Sequence, residues 1–173
     1  MTGTEIPPPF SELIAATTRS AVHLETRDAY TPDDPRFIRW LADGTVPVSP
    51  EWSALVREHT ARGVRFRRAR VVSEPLTDYI RFEHAVTGKM NVPAGEDVRW
   101  LPRRLAPGLC VPLCDFWLFD SRLIRFHHFS GVGDILDDEL CDDPEVIARC
   151  SLAFALAWER AIPHADYRPT GTA

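Results

Sequence analysis

The segment CDFWLFDSRLIRFHHF, residues 114–129, decides the fold class because CDFWLFD and RLIRFHHF flank a turn signal. Asp120 and Ser121 are residue types that favour tight turns, so the flanking stretches predict a β-hairpin. The first arm is apolar at every position from 116 to 119, which is typical of a strand with both faces covered. We therefore expect this arm to be a central strand of a sheet, with helices on both sides.

Helices and strands alternate on the N-terminal side of the hairpin. The spacing of apolar residues predicts helices at about residues 9–19, 35–42, 50–62 and 76–87. It predicts strands at residues 22–27, 64–72 and 97–101, of which the first reads as half-buried and the second as bulged near Arg67 and Arg68. Residues 88–96 and 102–109 are predicted loops. Ser49, Pro50 and Gly63 delimit the third helix as cap, first residue and terminator.

The C-terminal part of the domain is predicted to be a long helix. It follows the acidic segment 134–145, with Asp142 or Asp143 as its N-cap and Pro144 at its first position. The order of elements indicates the α/β class: a single layered domain whose mixed β-sheet contains a late hairpin and is flanked by helices.

Composition limits the class of protein further. The chain has 173 residues, of which 45% are hydrophobic and 26% charged, so we expect one folded domain at residues 9–163, after a Pro-rich lead-in at 1–8 and before a polar tail at 164–173. The net charge of -5 argues against direct nucleic-acid binding and against an anionic membrane partner. The N-terminus lacks the features of a signal peptide, and the longest apolar stretch, 151–158, is too short to span a membrane, so we expect a cytoplasmic protein.

The four cysteines allow two interpretations. Cys110, Cys114, Cys141 and Cys150 are enough to hold zinc, but the last two are separated by eight residues and Cys150 lies on the apolar face of the predicted helix. We therefore predict free thiols, no bound metal and no disulfide.

Two charged groups are candidates for a binding site. One is an arginine-rich segment, which can bind an anion, a phosphate or RNA, or can form a solvated edge that faces the acidic segment 134–145; we favour the edge. Its members are Arg57, Arg62, Arg65, Arg67, Arg68 and Arg70. The other lies on the helix TDYIRFEHAV, where Asp78, Arg81 and Glu83 stand among aromatic residues and form either part of a pocket or a surface ion pair.

No complete catalytic motif is present in the sequence. HExxH, GxSxG and phosphate-loop patterns are absent, and Gly131-Val-Gly133 is predicted to be a turn. His127 and His128 are adjacent in a predicted strand, so their side chains point to opposite faces and do not share a site. We expect no cofactor.

The segments PLTDYIRFE, AGEDVRWLP and DFWLFD resemble an uncharacterised family of single-domain proteins from high-GC bacteria. The resemblance covers roughly residues 10–167. It implies a gene that lies near a helix-turn-helix transcription regulator, and it implies no established activity.

A second resemblance, to phospholipase-D-like domains, concerns the fold. Those domains carry HxKxxxxD on a strand that enters a hairpin, and the same spacing here reads Leu113, Asp115 and Asp120. Leucine cannot attack phosphorus and a carboxylate at the lysine position repels phosphate. The resemblance therefore implies an α/β domain without that phosphodiesterase chemistry, in which Asp120 binds backbone amides around Ser121 as a turn-former.

These observations favour a non-catalytic regulatory or interaction protein whose partner is a DNA-binding, helix-turn-helix regulator. The alternative is an enzyme, either a toxin-like nuclease or a small-molecule enzyme, that uses a pocket of carboxylates and arginines. An enzyme would gather these groups in one cleft, whereas a binding module would leave them dispersed. The candidate pocket or interaction residues are Arg70, Asp78, Tyr79, Arg81, Glu83, Glu96, Asp115 and Asp120.

Overall fold

The computed structural model describes residues 7–31 and 33–169, and within these ranges seven strands form one mixed sheet in the order β6-β5-β4-β1-β2-β3-β7. The strands are β1 (Ser20–Glu25), β2 (Arg65–Val72), β3 (Glu96–Pro102), β4 (Asp115–Phe119), β5 (Leu123–Phe129), β6 (Ile135–Cys141) and β7 (Ile162–Pro163). The helices are α1 (Phe10–Ala15), α2 (Pro35–Asp43), α3 (Pro50–Ala61), α4 (Asp78–Val86), α5 (Val92–Ala94) and α6 (Pro144–Arg160), with a π-helical turn at Thr87–Asn91 and a 3₁₀ turn at Arg103–Leu105.

The predicted α/β domain with a mixed sheet and a late hairpin is confirmed. β1 pairs in parallel with β2 and β2 with β3, while β4 and β5 form the antiparallel hairpin. β4 lies inside the sheet, and every residue from Phe116 to Phe119 is at most 4% exposed. Its apolar arm is therefore the central strand that the sequence predicts.

Helices cover both faces of the sheet. On one face, α6 packs Phe154 and Ala157 against a core that includes Leu24 and Leu118. On the other face, α1 and α3 cover one end, and α4 covers the other end. The second face therefore has space between two groups of helices.

Side-chain caps fix the starts of the helices as predicted. The hydroxyl of Ser49 accepts a hydrogen bond from the backbone N–H of Trp52 at the start of α3. The carboxylate of Asp143 accepts one from the N–H of Glu145 at the start of α6. These bonds satisfy N–H groups that have no partner inside the helix.

The position of β2 overturns two predictions. Its register with β1 and β3 is continuous, so there is no bulge near Arg67 and Arg68. The strand is central, and β5, β4 and β1 separate it from β6, so it is not a solvated edge facing the acidic segment. β1 is also not half-buried, since residues 21–25 are all buried.

Two further segments differ from their predicted structure. Residues 88–96 were predicted to be a loop but contain the end of the π-helical turn and all of α5. The acidic segment contains the strand β6, which is stabilised by charge pairs across to β5: Asp138 with Arg125 and His127, and Glu139 with His128.

The segment that follows α6 packs against the sheet as far as Tyr167. β7 pairs with β3, and the ring of Tyr167 stacks on Trp100 with 5.4 Å between centroids. Tyr167 is buried, so the packed domain extends past the predicted boundary. Residues 1–6 of the predicted lead-in and 170–173 of the predicted tail lie outside the described residues. No helix in the described ranges is long and apolar enough to cross a membrane.

Replacing Cys150 with alanine should lower the free energy of unfolding by about 1 kcal/mol, because the thiol is buried on α6 and contributes only packing. Chemical denaturation measures this loss, with the exposed Cys110→Ala as the matched control that should change little. A variant that fails to fold, or stoichiometric zinc in the purified protein, would contradict the expected role of a free thiol.

Candidate functional site

A row of charged side chains occupies the sheet face opposite α6. In β1, Leu24 belongs to the core under α6, so its neighbours His23 and Glu25 point to the other face. In β2 the same alternation turns Arg68 and Arg70 to that face. The parallel register places His23 beside Arg68 and Glu25 beside Arg70, so two strands together build a polar floor.

A cavity of about 450 Å³ lies above this floor, between α3 and α4. Arginines and a carboxylate contribute its polar lining, and aromatic and aliphatic side chains form most of its walls. The lining residues are Phe10, His23, Arg36, Pro47, Val48, Ser49, Trp52, Arg68, Arg70, Phe82, Glu83, Val86, Met90, Asn91 and Trp117.

Arg68 connects the floor to three other parts of the fold. Its Nη1 donates to Oε1 of Glu25 at 2.7 Å, and its Nε donates to Oε2 of Glu96 at 3.0 Å. Oε1 of Glu96 in turn accepts from the indole N–H of Trp52 and from the side-chain amide of Asn91, both at 2.6 Å. Glu96 is therefore satisfied by three donors from β2, α3 and the π-helical turn.

Arg70 forms the second half of the floor. Its Nη1 donates to the carboxylate of Glu83 on α4, and its Nε lies 3.0 Å from Oε2 of Glu25. The guanidinium also lies over the ring of Trp100, 5.4 Å from the centroid. Arg68 and Arg70 thus share Glu25 between them, and both are at most 8% exposed.

Burial controls the ionisation of the floor. It raises the pKa of Glu25, although the charges of Arg70 and Arg68 act in the opposite direction. Burial, followed by the charge of Arg68, lowers the pKa of His23 well below 6.5. His23 is therefore neutral at neutral pH, and its ring stacks on Trp117 with 4.3 Å between centroids.

The structure gathers three of the eight candidate residues at the cavity. Arg70 and Glu83 line it, and Glu96 lies beneath Arg68. Tyr79 instead packs its ring against Phe37, 5.0 Å away between centroids, outside the cavity lining.

Asp78 and Arg81 form a surface ion pair. Their charged atoms are 3.7 Å apart, and the two side chains are 65% and 39% exposed. The sequence allows either a surface ion pair or part of a pocket on this helix. Asp78 and Arg81 form the ion pair, and Glu83 lines the pocket.

Asp115 lies on the same sheet face but is engaged elsewhere. Its Oδ1 accepts from the backbone N–H and the hydroxyl of Thr26, and its Oδ2 accepts from the hydroxyl of Tyr30. Burial raises the pKa of Tyr30 well above 10, so this hydroxyl stays protonated. The position that matches the histidine of phospholipase-D-like domains, Leu113, is 99% exposed.

Asp120 binds backbone amides, but not those around Ser121 as predicted. Its carboxylate accepts from the N–H groups of Thr18, Arg19 and Ser20 at 2.7–2.9 Å. It joins the hairpin turn to the segment before β1, and it is not among the residues that line the cavity. The turn itself uses left-handed backbone, with φ of 51° at Asp120 and 55° at Ser121.

The remaining predicted groups do not form a metal site or a shared histidine site. His127 pairs with Asp138 and His128 with Glu139, on opposite faces of the sheet. Within residues 7–31 and 33–169, no cluster of three His, Cys, Asp or Glu side chains is arranged to hold a metal ion.

The prediction missed His23, Glu25, Trp52, Asn91 and Trp117, and it assigned Arg68 to a solvated edge. The missing signal is the charged residues at alternate positions of two strands, His23 and Glu25 in β1 and Arg68 and Arg70 in β2. In a central strand that pattern places charge in the interior, where each charge needs a partner. The sequence does not reveal which strands are central, so it predicts a solvated edge for the arginines of β2.

Comparison with known proteins gives a family and a fold. The model of a family described as a domain of unknown function, DUF6879, matches residues 8–169. No curated protein matches the chain. A phospholipase D family member, Nuc from Salmonella typhimurium, is similar with a TM-score of 0.50 at 11% identity, over 91% of this chain and 88% of that chain. This supports the predicted resemblance at the level of the fold alone.

An archaeal chromatin protein, TrmBL2, whose structure is described as showing a novel mode of DNA binding, has a TM-score of 0.46 at 14% identity. The match covers 87% of this chain and 47% of that protein, so the chain spans about half of its length.

Proposed function

The chain belongs to the DUF6879 family, a domain of unknown function, and from this premise we propose that it is a non-catalytic regulatory protein that binds a small molecule in the sheet cavity. The observation that supports this most is the cavity itself. Its volume of about 450 Å³ falls within the ~300–1,000 Å³ that ligand sites occupy, with mostly apolar walls and a few polar groups.

The pairing of the charged groups favours binding over catalysis. Arg68 and Arg70 are each held by two carboxylates, so the floor is rigid and both of its cations are paired. The imidazole in the lining, His23, stacks flat on Trp117. Asp78, Arg81 and Asp120 lie away from the cavity, so most of the candidate catalytic groups are dispersed.

The partner that we propose is a DNA-binding regulator of the helix-turn-helix class. This follows from the resemblance to proteins of high-GC bacteria whose genes lie near such regulators. In this proposal the protein binds the ligand in its cavity, and the partner binds DNA. Ligand binding alters the effect of the protein on its partner. We also place the protein in the cytoplasm, where free thiols such as its four cysteines stay reduced.

A thermal-shift screen tests ligand binding. We expect at least one compound in a library of small metabolites to raise the melting temperature of the protein, because a ligand at about 100 times its Kd adds about 2.7 kcal/mol of stability. Val48→Trp places an indole in the cavity lining and should remove the shift. Val132→Trp, which alters another exposed valine outside the lining, is the matched control and should keep it.

If no compound raises the melting temperature of the wild-type protein, or if the shift persists in Val48→Trp, the cavity is not the binding site.

The partner is tested by a gel-shift experiment with the regulator encoded nearby and its operator DNA. The protein should change the affinity of the regulator for DNA, and the ligand found in the screen should alter that change. A regulator unaffected by the protein would contradict the regulatory role.

The enzyme alternative has one observation in its favour, which is the convergence of His23, Glu25, Arg70 and Glu83 on one side of the sheet. Against it, we expect no hydrolysis of RNA, DNA or a generic phosphodiester. Activity that disappears in His23→Ala would establish the enzyme alternative. Activity that disappears in His127→Ala or His128→Ala would instead point to phosphodiesterase chemistry outside the cavity.

A further inference from the structure

The cavity presents hydrogen-bond donors and acceptors side by side. Hydrogen bonds within the described chain engage Nε and Nη1 of Arg68 and Nη1 of Arg70, which leaves Nη2 of each guanidinium without one. Both arginines line the cavity. A guanidinium with an unused N–H group is a strong donor for a carboxylate.

Acceptors line the same cavity. Glu83 reaches it from α4 while it accepts from Arg70. Asn91 is 2% exposed, and its Oδ1 is buried without a hydrogen-bond partner in the described chain, although its amide nitrogen donates to Glu96. This oxygen has no accessible surface, so Glu83 is the acceptor that a ligand in the cavity can reach.

The charge of the floor restricts the ligand. Arg68 and Arg70 carry two positive charges, and Glu25, Glu83 and Glu96 carry up to three negative ones. A purely anionic ligand would add to the negative total, and a purely cationic ligand would face the free N–H groups of two arginines. A ligand that carries both charges meets both kinds of group and leaves the buried total unchanged.

The walls of the cavity indicate the apolar part of the ligand. Trp52, Trp117, Phe10 and Phe82 surround the polar floor with aromatic surface, and Met90 adds a flexible apolar side chain. Such walls favour an apolar or aromatic body that is buried on binding.

We propose that the ligand is a zwitterion of the amino-acid class with an apolar or aromatic side chain. Its carboxylate accepts from Nη2 of Arg68 and Arg70, and its ammonium donates to the carboxylate of Glu83. Its side chain lies against Trp52 and Trp117. This inference rests on the proposed ligand-binding function and names the class of ligand for that same cavity.

Isothermal titration with four probes that share one ring tests the class. The probes are L-phenylalanine, its primary amide, 3-phenylpropionate, which lacks the ammonium, and phenethylamine, which lacks the carboxylate. We expect L-phenylalanine to bind at least ~10-fold more tightly than each of the others, since each lacks one charge-assisted hydrogen bond.

Glu83→Gln separates the two head groups. The amide keeps the shape of the side chain but loses its charge, so L-phenylalanine should bind ~10-fold more weakly while 3-phenylpropionate binds as well as before or better. Asp78→Asn, an exposed change on the same helix, is the matched control and should leave both affinities unchanged. Circular dichroism and thermal melting confirm that both variants are folded.

The outcomes distinguish the ligand class from the proposed function. If 3-phenylpropionate or phenethylamine binds as tightly as L-phenylalanine, the zwitterion is wrong and the cavity still binds small molecules. If no probe binds while the metabolite screen finds a compound blocked by Val48→Trp, the class alone is wrong. If neither experiment finds a ligand, both proposals fail together.

Discussion

Arg68→Met is expected to lower the free energy of unfolding by about 3–5 kcal/mol, because it leaves the buried carboxylate of Glu96 without a cation and that of Glu25 with Arg70 alone. Glu25 and Glu96 both accept from this guanidinium, and both are at most 9% exposed. Methionine has a similar length and is apolar, so the loss comes from unpaired charge more than from a cavity. Urea denaturation at neutral pH, with the transition followed by tryptophan fluorescence, measures the effect.

The matched control for this variant is Arg65→Met, which makes the same change at an exposed position of the same strand. It should change stability by less than about 0.5 kcal/mol. A second variant, Arg68→Met with Glu96→Gln, removes the charge of the carboxylate that has lost its cation and should recover part of the loss. If Arg68→Met is as stable as wild type, the network is not a source of stability, and the description of the floor as a rigid set of paired charges is wrong.

Asp120→Ala is expected to cost about 3 kcal/mol or more, since three backbone N–H groups lose a charged acceptor at once. The groups belong to Thr18, Arg19 and Ser20, which lead into the central strand β1. Asp120→Ala should leave ligand binding per folded molecule unchanged, because the residue lies outside the cavity lining. Chemical denaturation gives the stability, and calorimetry on the folded variant gives the affinity.

The effect of Asp120 should depend on pH in a defined direction. Burial by itself raises the pKa of this carboxyl, but the hydrogen bonds from Ser20, Thr18 and Arg19 outweigh it and hold the pKa below 3.8. A lowered pKa means that the stabilisation is complete above the unfolded value and is lost as the pH falls through the folded one. The gap between wild type and Asp120→Ala should therefore narrow on acidification below pH ~4.

Asp142→Ala is the matched control for Asp120→Ala. Asp142 is exposed, and its carboxylate accepts no hydrogen bond from a backbone N–H in the described chain. It should change stability little at any pH. A gap between Asp120→Ala and wild type that widens at low pH would contradict the assignment of the carboxylate as the stabilising species.

The parts of the fold that the sequence predicted correctly are those fixed by local chemistry. The hairpin follows from two apolar arms around Asp120 and Ser121, and the starts of α3 and α6 follow from Ser49 and Asp143 as caps. Each of these signals acts over a few residues, so tertiary packing does not change it.

The predictions failed where distant segments decide the structure. β6 has a poor strand composition, with Asp137, Asp138 and Glu139 in succession, yet it forms because Arg125, His127 and His128 on β5 face those acids. Strand preference of this kind depends on the neighbour across the sheet. Nothing within residues 134–145 contains that information.

The candidate site also combines residues that the sequence identifies with residues whose role depends on distant segments. Glu83 is a sequence candidate because it stands among aromatic residues, and Arg70 because it belongs to the arginine-rich segment. The structure brings both of them, together with the candidate Glu96, to the cavity or directly beneath it. Their partners Glu25 and His23 were not named, because their role depends on the parallel pairing of β1 with β2. A strand order is a property of the whole chain, and it was the missing information.

The acidic composition of β6 has a consequence for solubility. β6 is the last strand on its side of the sheet, so one row of its backbone N–H and C=O groups has no strand partner among the described residues. An open edge of this kind is a template on which a second chain can add a strand and begin a fibril. Two copies that paired there would bring Asp137, Asp138 and Glu139 of each chain close together, and like charges oppose that contact. The acids therefore oppose aggregation through this edge of the sheet.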